Sequence, residues 1–346
     1  MTTPIALAVD GGNSKTHLAL VRSSGEVLAL VRGPLSSPYH LGVEGSIEVL
    51  DTMLEDALRQ GGLPRRDGPV AEVADLLIAG VDFPAEEREL QQAAAARGWA
   101  PKTTVRNDTF AVLRAGTERG WGVAVVCGAG INCVGVAPDG RHARFPALGA
   151  ITGDWGGGHD VGMAALSAAA RSEDGRGERT SLEQAVPAYF GLGTPSELAE
   201  AIHIGKISSR RVIELAPVVF AEAVRDPVAQ GIVARLAAEV VALARVALAR
   251  LGLTQEPTEV LLGGGLLQSG DGRLLAAIEA GLHEVGPEIA VRAAASPPIV
   301  GAALLGLDEL GAGPGEQARL RSELGAAAER FADETAYSEP GFVEVD

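Results

Sequence analysis

Two parts of the chain share one pattern of apolar and polar positions. Residues 5–32 hold a short apolar run, a polar glycine turn at 10–16 and a second apolar run. Residues 122–145 repeat that order around a glycine turn at 127–132. Apolar runs of this length, bounded by turn residues, are typical of β-strands. The sequence therefore predicts two units of strand, glycine turn and strand. Their repetition predicts a duplicated fold whose two loops face one cleft.

Apolar residues between and after these units follow helical spacing. Residues 41–60 and 228–251 repeat apolar side chains every three or four positions, which predicts amphipathic helices. The buried stripe of the second helix is predicted to be Ile232, Leu236, Val240, Leu243, Ala247 and Leu251. The further predicted elements are strands at 74–79, 103–106 and 259–262, and helices at 86–97, from residue 109 and at 298–307. Alternating strands and helices predict an α/β fold.

The chain length predicts more than one domain. At 346 residues the chain exceeds what a single hydrophobic core usually organises. We predict an N-terminal lobe at 1–116, rejoined by a helix near 298–312, and a C-terminal lobe at 117–297 with a helical insertion. Residues 313–346 are predicted to form a peripheral helix and an acidic tail.

Composition narrows the partners and the location. Charged residues such as Arg235 and Glu239 interrupt even the most apolar helix, so no membrane span is predicted. A formal net charge of -16 disfavours nucleic acid and anionic membranes, since both would repel the protein. The N-terminus lacks the pattern of a signal peptide, which favours a cytoplasmic protein. Cys127 and Cys133 give neither a disulfide framework nor metal-ligand spacing.

The first glycine turn has the residue types of a phosphate site. Glycines leave backbone N–H groups directed inward, where phosphate oxygens find several donors. Asp10 suits a carboxylate that holds Mg²⁺ through water, and the residues from Asn13 to Thr16 suit the phosphate cradle. Lys15 is one of only three lysines and adds a point charge. The competing interpretation is that the Gly-Gly-Asn sequence is simply a good hairpin turn.

Asp108 is the candidate general base. It lies where a predicted strand ends and a helix begins, so its side chain would project into the cleft and accept the proton of an attacking hydroxyl. Aspartate is also a preferred helix N-cap, and this position fits one. Asp154 is a second carboxylate, placed among glycines that let a ligand approach. The alternative for Asp154 is an ordinary loop aspartate.

A third glycine segment follows the predicted strand at 259–262. The three glycines Gly263, Gly264 and Gly265 would let a flat base and a ribose lie against the backbone. The competing interpretation is that three glycines serve a tight turn from strand to helix.

Taken in order, the motifs resemble the N-acetylglucosamine kinase branch of the sugar kinase, actin and heat-shock-chaperone ATPase superfamily. That branch also holds the ATPase subunits of benzoyl-CoA reductase and 2-hydroxyacyl-CoA dehydratase systems. The resemblance runs from about residue 5 to residue 307. It rests on seven segments, which are 10–16, 33–42, 79–82, 107–108, 128–132, 153–154 and 263–265.

The resemblance implies an α/β fold of two ribonuclease-H-like lobes that close over ATP and a sugar, and phosphate transfer to the 6-hydroxyl. It implies that Asp108 is the base, that Asp10 is the Mg²⁺-side carboxylate and that a homodimer forms. The implied nucleotide contacts are Gly11, Gly12, Asn13, Ser14, Lys15, Thr16, Gly128, Ala129, Gly130, Gly263, Gly264 and Gly265. The implied sugar contacts are Ser37, Asp82, Asn107, Asn132 and Asp154.

Three positions depart from the pattern of that branch. Ala129 and Ile131 replace two hydroxyl residues of the second phosphate loop, and Ser37 replaces an asparagine that often holds the sugar. A serine hydroxyl cannot span the same distance with both a donor and an acceptor group. ATP binding is thus better supported than any particular sugar.

Three other classes of protein compete with the kinase interpretation. An activating ATPase would need an iron–sulfur cluster held by interfacial cysteines, whereas Cys127 and Cys133 are predicted to be buried. A repressor of the related sugar-kinase type would carry an N-terminal helix-turn-helix, and none is predicted. A catalytically silent sugar or nucleotide sensor is favoured by Ala129 and Ile131, and disfavoured by the presence of both Asp10 and Asp108.

Overall fold

A computed structural model describes residues 3–64 and 68–336. The predicted acidic tail beyond residue 336 lies outside the described residues. The described chain forms two compact units, one drawn from Met1–Gly120 and Ala294–Asp346 and the other from Trp121–Ala293. No helix within the described ranges is both long enough and apolar enough to cross a membrane.

The strands and helices follow one another in a repeated order. The strands are β1 (Ile5–Gly11), β2 (Lys15–Arg22), β3 (Val27–Pro34), β4 (Val73–Ile78), β5 (Lys102–Asn107), β6 (Gly122–Cys127), β7 (Ile131–Val136), β8 (His142–Arg144), β9 (Glu259–Gly263) and β10 (Ala290–Ala293). The α-helices are α1 (Pro38–Gln60), α2 (Pro84–Ala96), α3 (Thr109–Gly116), α4 (Gly157–Glu173), α5 (Leu182–Tyr189), α6 (Pro195–His203), α7 (Ala216–Glu222), α8 (Pro227–Leu251), α9 (Gly265–Gln268), α10 (Gly272–Val285), α11 (Pro298–Glu309) and α12 (Pro314–Ala336). Short 3₁₀ helices lie at Gly149–Ile151 and Ser209–Leu215.

Each unit contains one five-stranded mixed sheet, and the two sheets have the same topology. The first has the order β3-β2-β1-β4-β5 and the second the order β10-β9-β6-β7-β8. In each, three consecutive antiparallel strands come first, and two parallel strands are added beside the first of them. This is the ribonuclease-H-like arrangement, so both the predicted α/β class and the predicted duplication are confirmed.

The central strands are apolar on both faces. In β1 the residues 6–9 are all buried, and in β4 every residue is buried. Strands covered by helices on both sides of a sheet read as continuous apolar runs and not as alternating ones. Glycine lets a helix approach closely at one point, because a Cβ at Gly301 of α11 would overlap the carbonyl oxygen of Ala111 in α3.

Differences between prediction and structure are local. Helix α1 begins at Pro38, three residues before the predicted start, because Gly42 adopts φ 69° and ψ 173° and separates the first turn from the periodic part. In α8 the stripe is buried except at Leu243, which is half-buried beside a buried Ala244. Strand β10 was missed because its four residues are mostly exposed at the sheet edge and carry no apolar pattern.

Candidate active site

The first glycine turn joins β1 to β2 and is tied to the segment after β3. The Gly12 N–H donates to the carbonyl of Lys15 at 2.9 Å, which closes the turn. Asn13, Ser14 and Lys15 are exposed. Gly11 has no room for a side chain, because a Cβ there would overlap the hydroxyl of Ser36.

Thr16 points inward, unlike its exposed neighbours. Its Oγ1 donates to Ser36 Oγ at 2.8 Å, and both residues are fully buried. The Ser36 N–H donates to the Gly12 carbonyl at 3.3 Å, while Ser46 Oγ donates to the Ser36 carbonyl at 2.6 Å. Sequence reasoning did not assign Ser36, which anchors the first loop to the predicted sugar segment. The signal available for it was a small polar residue between Gly33 and the start of a helix.

Ser37 lies directly under the turn that follows β4. Its side chain is fully buried, and its Oγ has no hydrogen-bond partner in the described part of the chain. A Cβ at Gly80 would stand 2.7 Å from that oxygen. Two exposed aromatic residues lie near this turn. Tyr39 is 80% exposed and lies beside Gly80 in space, and Phe83, which is 40% exposed, follows the turn in the chain. Sequence reasoning missed both aromatics, which stand out in a chain with 4% aromatic residues.

Three carboxylates come from the same end of three neighbouring parallel strands. Gly11 pairs with Ile78, and Ile78 pairs with Asn107, so β1, β4 and β5 end in one row. The row brings together Asp10, Asp82 and Asp108 from the strand ends and the turn after β4. Ligands of open α/β sheets bind at this carboxyl edge.

Asp108 has the electrostatic properties of a base near neutrality. Desolvation, with the negative charges of Asp10 and Asp82 as secondary causes, raises the pKa of the Asp108 carboxyl to about 7. A nearby histidine lies on the other side of Asp10, where His17 Nδ1 is 3.7 Å from Asp10 Oδ2. Perturbed carboxyls of this kind are enriched at functional sites.

The helix-cap interpretation of Asp108 is only half met. Asp108 occupies the N-cap position of α3, yet its side chain makes no capping hydrogen bond. The Thr109 N–H instead donates to Asn107 Oδ1 at 3.0 Å, so the preceding residue binds the helix start. The Asp108 carboxyl therefore makes no capping bond to α3, and the Thr109 backbone next to it only partly offsets the rise of its pKa.

Asn107 is buried and connects the turn after β4 with the start of α3. Its Nδ2 donates to Asp82 Oδ1 at 2.9 Å and to the carbonyl of Val81 at 3.3 Å. Its Oδ1 accepts from the N–H and the hydroxyl of Thr109, at 3.0 and 2.6 Å. Asp82 and Asn107, both predicted sugar contacts, thus contact each other.

The second glycine loop packs on the start of α4. The Gly128 N–H donates to the Gly130 carbonyl at 3.0 Å. The Gly128 and Ala129 carbonyls accept from the N–H groups of Gly158 and His159, at 2.8 and 3.0 Å. Gly128, Ala129 and Gly130 are exposed on this support. A matching loop on a rigid helix start is suited to hold a phosphate by backbone groups.

Ile131 and Asn132 of the second loop have no hydroxyl group to offer to a ligand. Ile131 is 4% exposed and belongs to the core of the second unit, where it packs against the backbone of Gly156. Asn132 is half-buried, and its Oδ1 accepts from the N–H of Cys133 at 2.7 Å.

The third glycine segment lies beside the second loop. Val126 of β6 pairs with Gly263 of β9, so 127–130 and 263–265 leave adjacent strands at one sheet edge. Gly264 has φ 84° and ψ 155°, and Gly265 begins the short helix α9. The tight turn from strand to helix is therefore present. It lies next to the second glycine loop, and a bound nucleotide would contact both.

Asp154 organises its own loop. Its Oδ2 accepts from the Gly149 N–H at 2.8 Å, and its Oδ1 accepts from the hydroxyl of Thr152. Trp155 follows it, with the Arg235 guanidinium 4.0 Å from its ring centre. Both carboxylate oxygens of Asp154 thus have partners within the loop, in agreement with the ordinary-loop interpretation of this residue.

The two cysteines are free and buried, as the sequence predicts. Burial raises the pKa of the Cys127 thiol to about 12 and raises the pKa of Cys133 further. Among residues 3–64 and 68–336, no group of three or more His, Cys, Asp or Glu side chains is placed to hold a metal ion.

A Mg²⁺ ion, which the resemblance implies, fits the donors at the first loop. Mg²⁺ is commonly held by one or two carboxylates together with nucleotide phosphates and water. Asp10 offers such a carboxylate, 17% exposed, at the end of β1 beside the exposed turn. A larger protein cage is not required.

Repeated ribonuclease-H-like sheets with a glycine loop after the first strand of each define a nucleotide-binding protein of the sugar kinase, actin and chaperone-ATPase class. The chain belongs to the BadF/BadG/BcrA/BcrD ATPase family, whose sequence model matches residues 7–306. The resemblance stated from the motifs is thereby confirmed.

Characterised relatives and a solved structure agree with this placement. The chain is 27% identical over 266 residues to the N-acetylmuramic acid/N-acetylglucosamine kinase of Clostridium acetobutylicum, covering 76% of this chain and 85% of that protein. It is 25% identical over 316 residues to the N-acetyl-D-glucosamine kinase of Dictyostelium discoideum, covering 89% and 99%. A candidate N-acetylglucosamine kinase from Chromobacterium violaceum superposes with a TM-score of 0.68 at 25% identity, covering 88% and 99%.

Proposed function

We propose that this protein is an ATP-dependent amino-sugar kinase that phosphorylates the 6-hydroxyl of N-acetylglucosamine or a related hexosamine. The observation that carries the proposal is the Asp108 carboxyl, which caps no helix and whose pKa is raised to about 7 beside Asp10 and Asp82. The names of the two characterised relatives support the same class of acceptor.

Asp108 is the proposed general base. The acceptor hydroxyl gives its proton to the Asp108 carboxylate while its oxygen bonds to the γ-phosphorus of ATP. The bond from that phosphorus to the β–γ bridging oxygen breaks, and ADP leaves. A carboxyl with a pKa near neutrality is both deprotonated and basic enough for this transfer.

The nucleotide is assigned to the two phosphate loops and the third glycine segment. The turn from Gly12 to Lys15, which is exposed from Asn13 onward, offers backbone donors and one ammonium, and Gly11 and Thr16 hold that turn against Ser36. Gly128, Ala129 and Gly130 form the second cradle, and Gly263, Gly264 and Gly265 form the proposed adenosine surface. Asp10 would hold Mg²⁺ through water, and the ion would offset phosphate charge when bound.

The residues proposed to form the sugar site are Ser37, Asp82 and Asn107 of the first unit and Asn132 and Asp154 of the second, as direct contacts or as support for them. Ser37 has the strongest local support among these, because its buried hydroxyl lacks a protein partner in the described ranges. Buried polar atoms are normally paired, so an unpaired one next to a turn points to a ligand or a water. Asn107 and Asp154 are weaker as direct contacts, since their polar atoms bind the protein.

A homodimer, which the resemblance implies, and a location in the cytoplasm, which the sequence favours, complete the proposal. Light scattering coupled to size-exclusion chromatography would measure the molar mass of the particle. A mass near that of one 35.4 kDa chain would remove the dimer from the proposal.

The test of function is an ADP-release assay with ATP, Mg²⁺ and a sugar panel. The panel contains N-acetylglucosamine, glucosamine, N-acetylmannosamine, N-acetylmuramic acid and glucose, with a control that lacks sugar. Strong stimulation by an amino sugar, with a 6-phosphate product identified by NMR, is the expected result. ADP release that no sugar changes would indicate an ATPase, and sugar binding without turnover would indicate a sensor.

A further inference from the structure

The hydrogen-bonding capacity of Asn107 is used completely within the protein. An asparagine amide has two N–H donors and a carbonyl oxygen with two lone pairs. Both donors of Asn107 are engaged, by Asp82 Oδ1 and the Val81 carbonyl, and both lone pairs accept from Thr109. Asn107 is 3% exposed. A sugar hydroxyl could bind this amide only by displacing one of these partners.

The same four bonds fix the two segments that flank Asp108. On one side they hold the turn at 81–82, whose backbone is also held by Glu86, since Glu86 Oε2 accepts from the N–H groups of Asp82 and Phe83 at 2.8 and 2.9 Å. On the other side they hold the first residue of α3. Asp108 lies between Asn107 and Thr109 in the chain, so the residues on both of its sides are held by this network.

Position 107 requires a neutral side chain that can hold Asp82. We call the bonds from Asn107 to Asp82, Val81 and Thr109 the clamp. Asp10, Asp82 and Asp108 carry like charges, which repel at short range. A Lys or Arg at 107 would hold Asp82 but would also stabilise the charged form of Asp108 and weaken it as a base. An amide donates to Asp82 without adding charge. The raised pKa of Asp108 is consistent with a clamp that leaves the negative charge of Asp82 in place.

We propose, resting on the kinase function above, that Asn107 is a positioning residue and not a sugar ligand. Its amide holds Asp82 beside Asp108 and accepts from the N–H and the hydroxyl of Thr109 at the start of α3. Asp82, which is half-buried and anchored through Oδ1, is then the group of this pair that contacts a hydroxyl of the acceptor sugar.

A substrate-analogue cycle distinguishes the two roles. Wild type, Asn107→Ala and Asp82→Ala are each assayed with the preferred sugar and with its 3-deoxy and 4-deoxy analogues. We expect Asn107→Ala to lower kcat/KM by about 100-fold and to weaken only the hydroxyl penalty that Asp82→Ala also loses, because the amide acts on the sugar through Asp82. Asp82→Ala should lose the penalty for one hydroxyl. If Asn107→Ala abolishes a penalty that Asp82→Ala retains, the amide binds sugar directly and the proposal is wrong.

The network can also be perturbed without changing Asn107. Thr109→Val removes the hydroxyl that donates to Asn107 Oδ1 and keeps the side-chain shape, whereas Thr109→Ser keeps the donor. A positioning network predicts a fall in kcat of roughly 10-fold for Thr109→Val, with the KM for ATP unchanged, and recovery in Thr109→Ser. A Thr109→Val enzyme with the wild-type kcat would contradict the role given to Asn107. This pair remains informative if Asn107→Ala fails to fold.

A stability cycle tests the clamp without reference to activity. Melting temperatures are measured without ligand for wild type, Asp82→Ala, Asn107→Ala and the double variant. If Asp82 and Asn107 are coupled, the double variant should melt at a higher temperature than the sum of the two single decreases in melting temperature predicts. Additive losses would overturn the clamp even in an active kinase. Coupled losses in a protein that no sugar stimulates would leave the clamp intact and remove only the proposed function.

Discussion

Gly264 sits so close to Cys127 that a Cβ at position 264 would overlap the Cys127 carbonyl oxygen. Its φ of 84° and ψ of 155° fall in a region that is essentially restricted to glycine. We therefore expect Gly264→Ala to destabilise the protein by roughly 1–3 kcal/mol or more, from backbone strain and the overlap together. Thermal unfolding should show a melting temperature lower by several degrees. Titration with ATP should show weaker binding, since the third glycine segment would move.

Gly265→Ala is the matched control for this prediction. The neighbouring glycine has no atom within 4 Å of its would-be Cβ and no positive φ. Its melting temperature should stay close to that of wild type. If Gly264→Ala and Gly265→Ala melt together, the close approach at Cys127 does not constrain the loop.

The repeated sheets could be predicted because their central strands are continuous apolar runs that end at glycine. The same reasoning could not find β10, whose residues are mostly exposed and gain their strand conformation from pairing with β9. It also could not place the start of α1, since Gly42 interrupts the periodic pattern by a backbone conformation that no side-chain pattern reports. Pairing partners and backbone dihedral angles at glycine are tertiary properties.

The residues of the site were easier to propose than their contacts. Asp10, Asp82 and Asp108 follow strands that end in one row, so their proximity could be expected from strand order alone. The division of labour between Asn107 and Asp108 could not be, because both side chains can bind a helix start. Ser36 was missed for a different reason, since its importance arises from a bond to Thr16, 20 positions away, which no local pattern reports.

Asp108→Asn tests the proposed base. The change keeps the shape of the side chain and removes its ability to take a proton, so kcat should fall by about two orders of magnitude or more. ATP binding and the melting temperature should change little, because the Asp108 side chain makes no capping bond to α3. Steady-state ADP release and a nucleotide titration measure both quantities.

Asp56→Asn serves as the control for Asp108→Asn. Asp56 is an exposed carboxylate on α1 that pairs with Arg59 at the surface, where an ion pair contributes little. Its kcat should equal that of wild type. A kcat of Asp108→Asn within a few-fold of wild type would exclude Asp108 from proton transfer.

The pH dependence of kcat/KM should report the Asp108 carboxyl. A general base acts in its deprotonated form, and the pKa of Asp108 is raised to about 7. The rate constant should therefore rise about tenfold per pH unit below 7 and reach a plateau above it. Profiles are measured at saturating Mg²⁺ and sub-saturating sugar from pH 5 to pH 9.

Asp82→Asn should shift the rising limb of this pH profile, which is the part below the plateau, to lower pH. The negative charge of Asp82 is one cause of the raised pKa of Asp108, after desolvation and Asp10. Removing that charge should lower the pKa, so the plateau should begin at lower pH even if the absolute rate falls. A limb that stays in place, or moves to higher pH, would show that Asp82 does not act on the titrating group.

Asp75 is a buried carboxyl of the first unit that lies away from the proposed chemistry. It sits in the middle of β4, is 1% exposed, and its Oδ2 has no hydrogen-bond partner within the described residues. Desolvation, followed by the charge of Glu309, raises the pKa of Asp75 to about 7. The folded protein therefore holds a proton on Asp75 at pH values where the unfolded chain has released it.

Asp75→Asn should remove a pH-dependent loss of stability. Between about pH 4 and pH 7 the folded state binds more protons at this site than the unfolded state, so the wild-type free energy of unfolding falls as the pH rises, and levels off above 7. Asparagine does not titrate, so the variant should gain relative to wild type across that window, by at most about 4 kcal/mol. Urea unfolding at pH 4.5, 6 and 8 measures the difference, and the surface change Asp56→Asn should show none. A difference between Asp75→Asn and wild type that is constant with pH would mean that Asp75 titrates alike in the folded and unfolded chains.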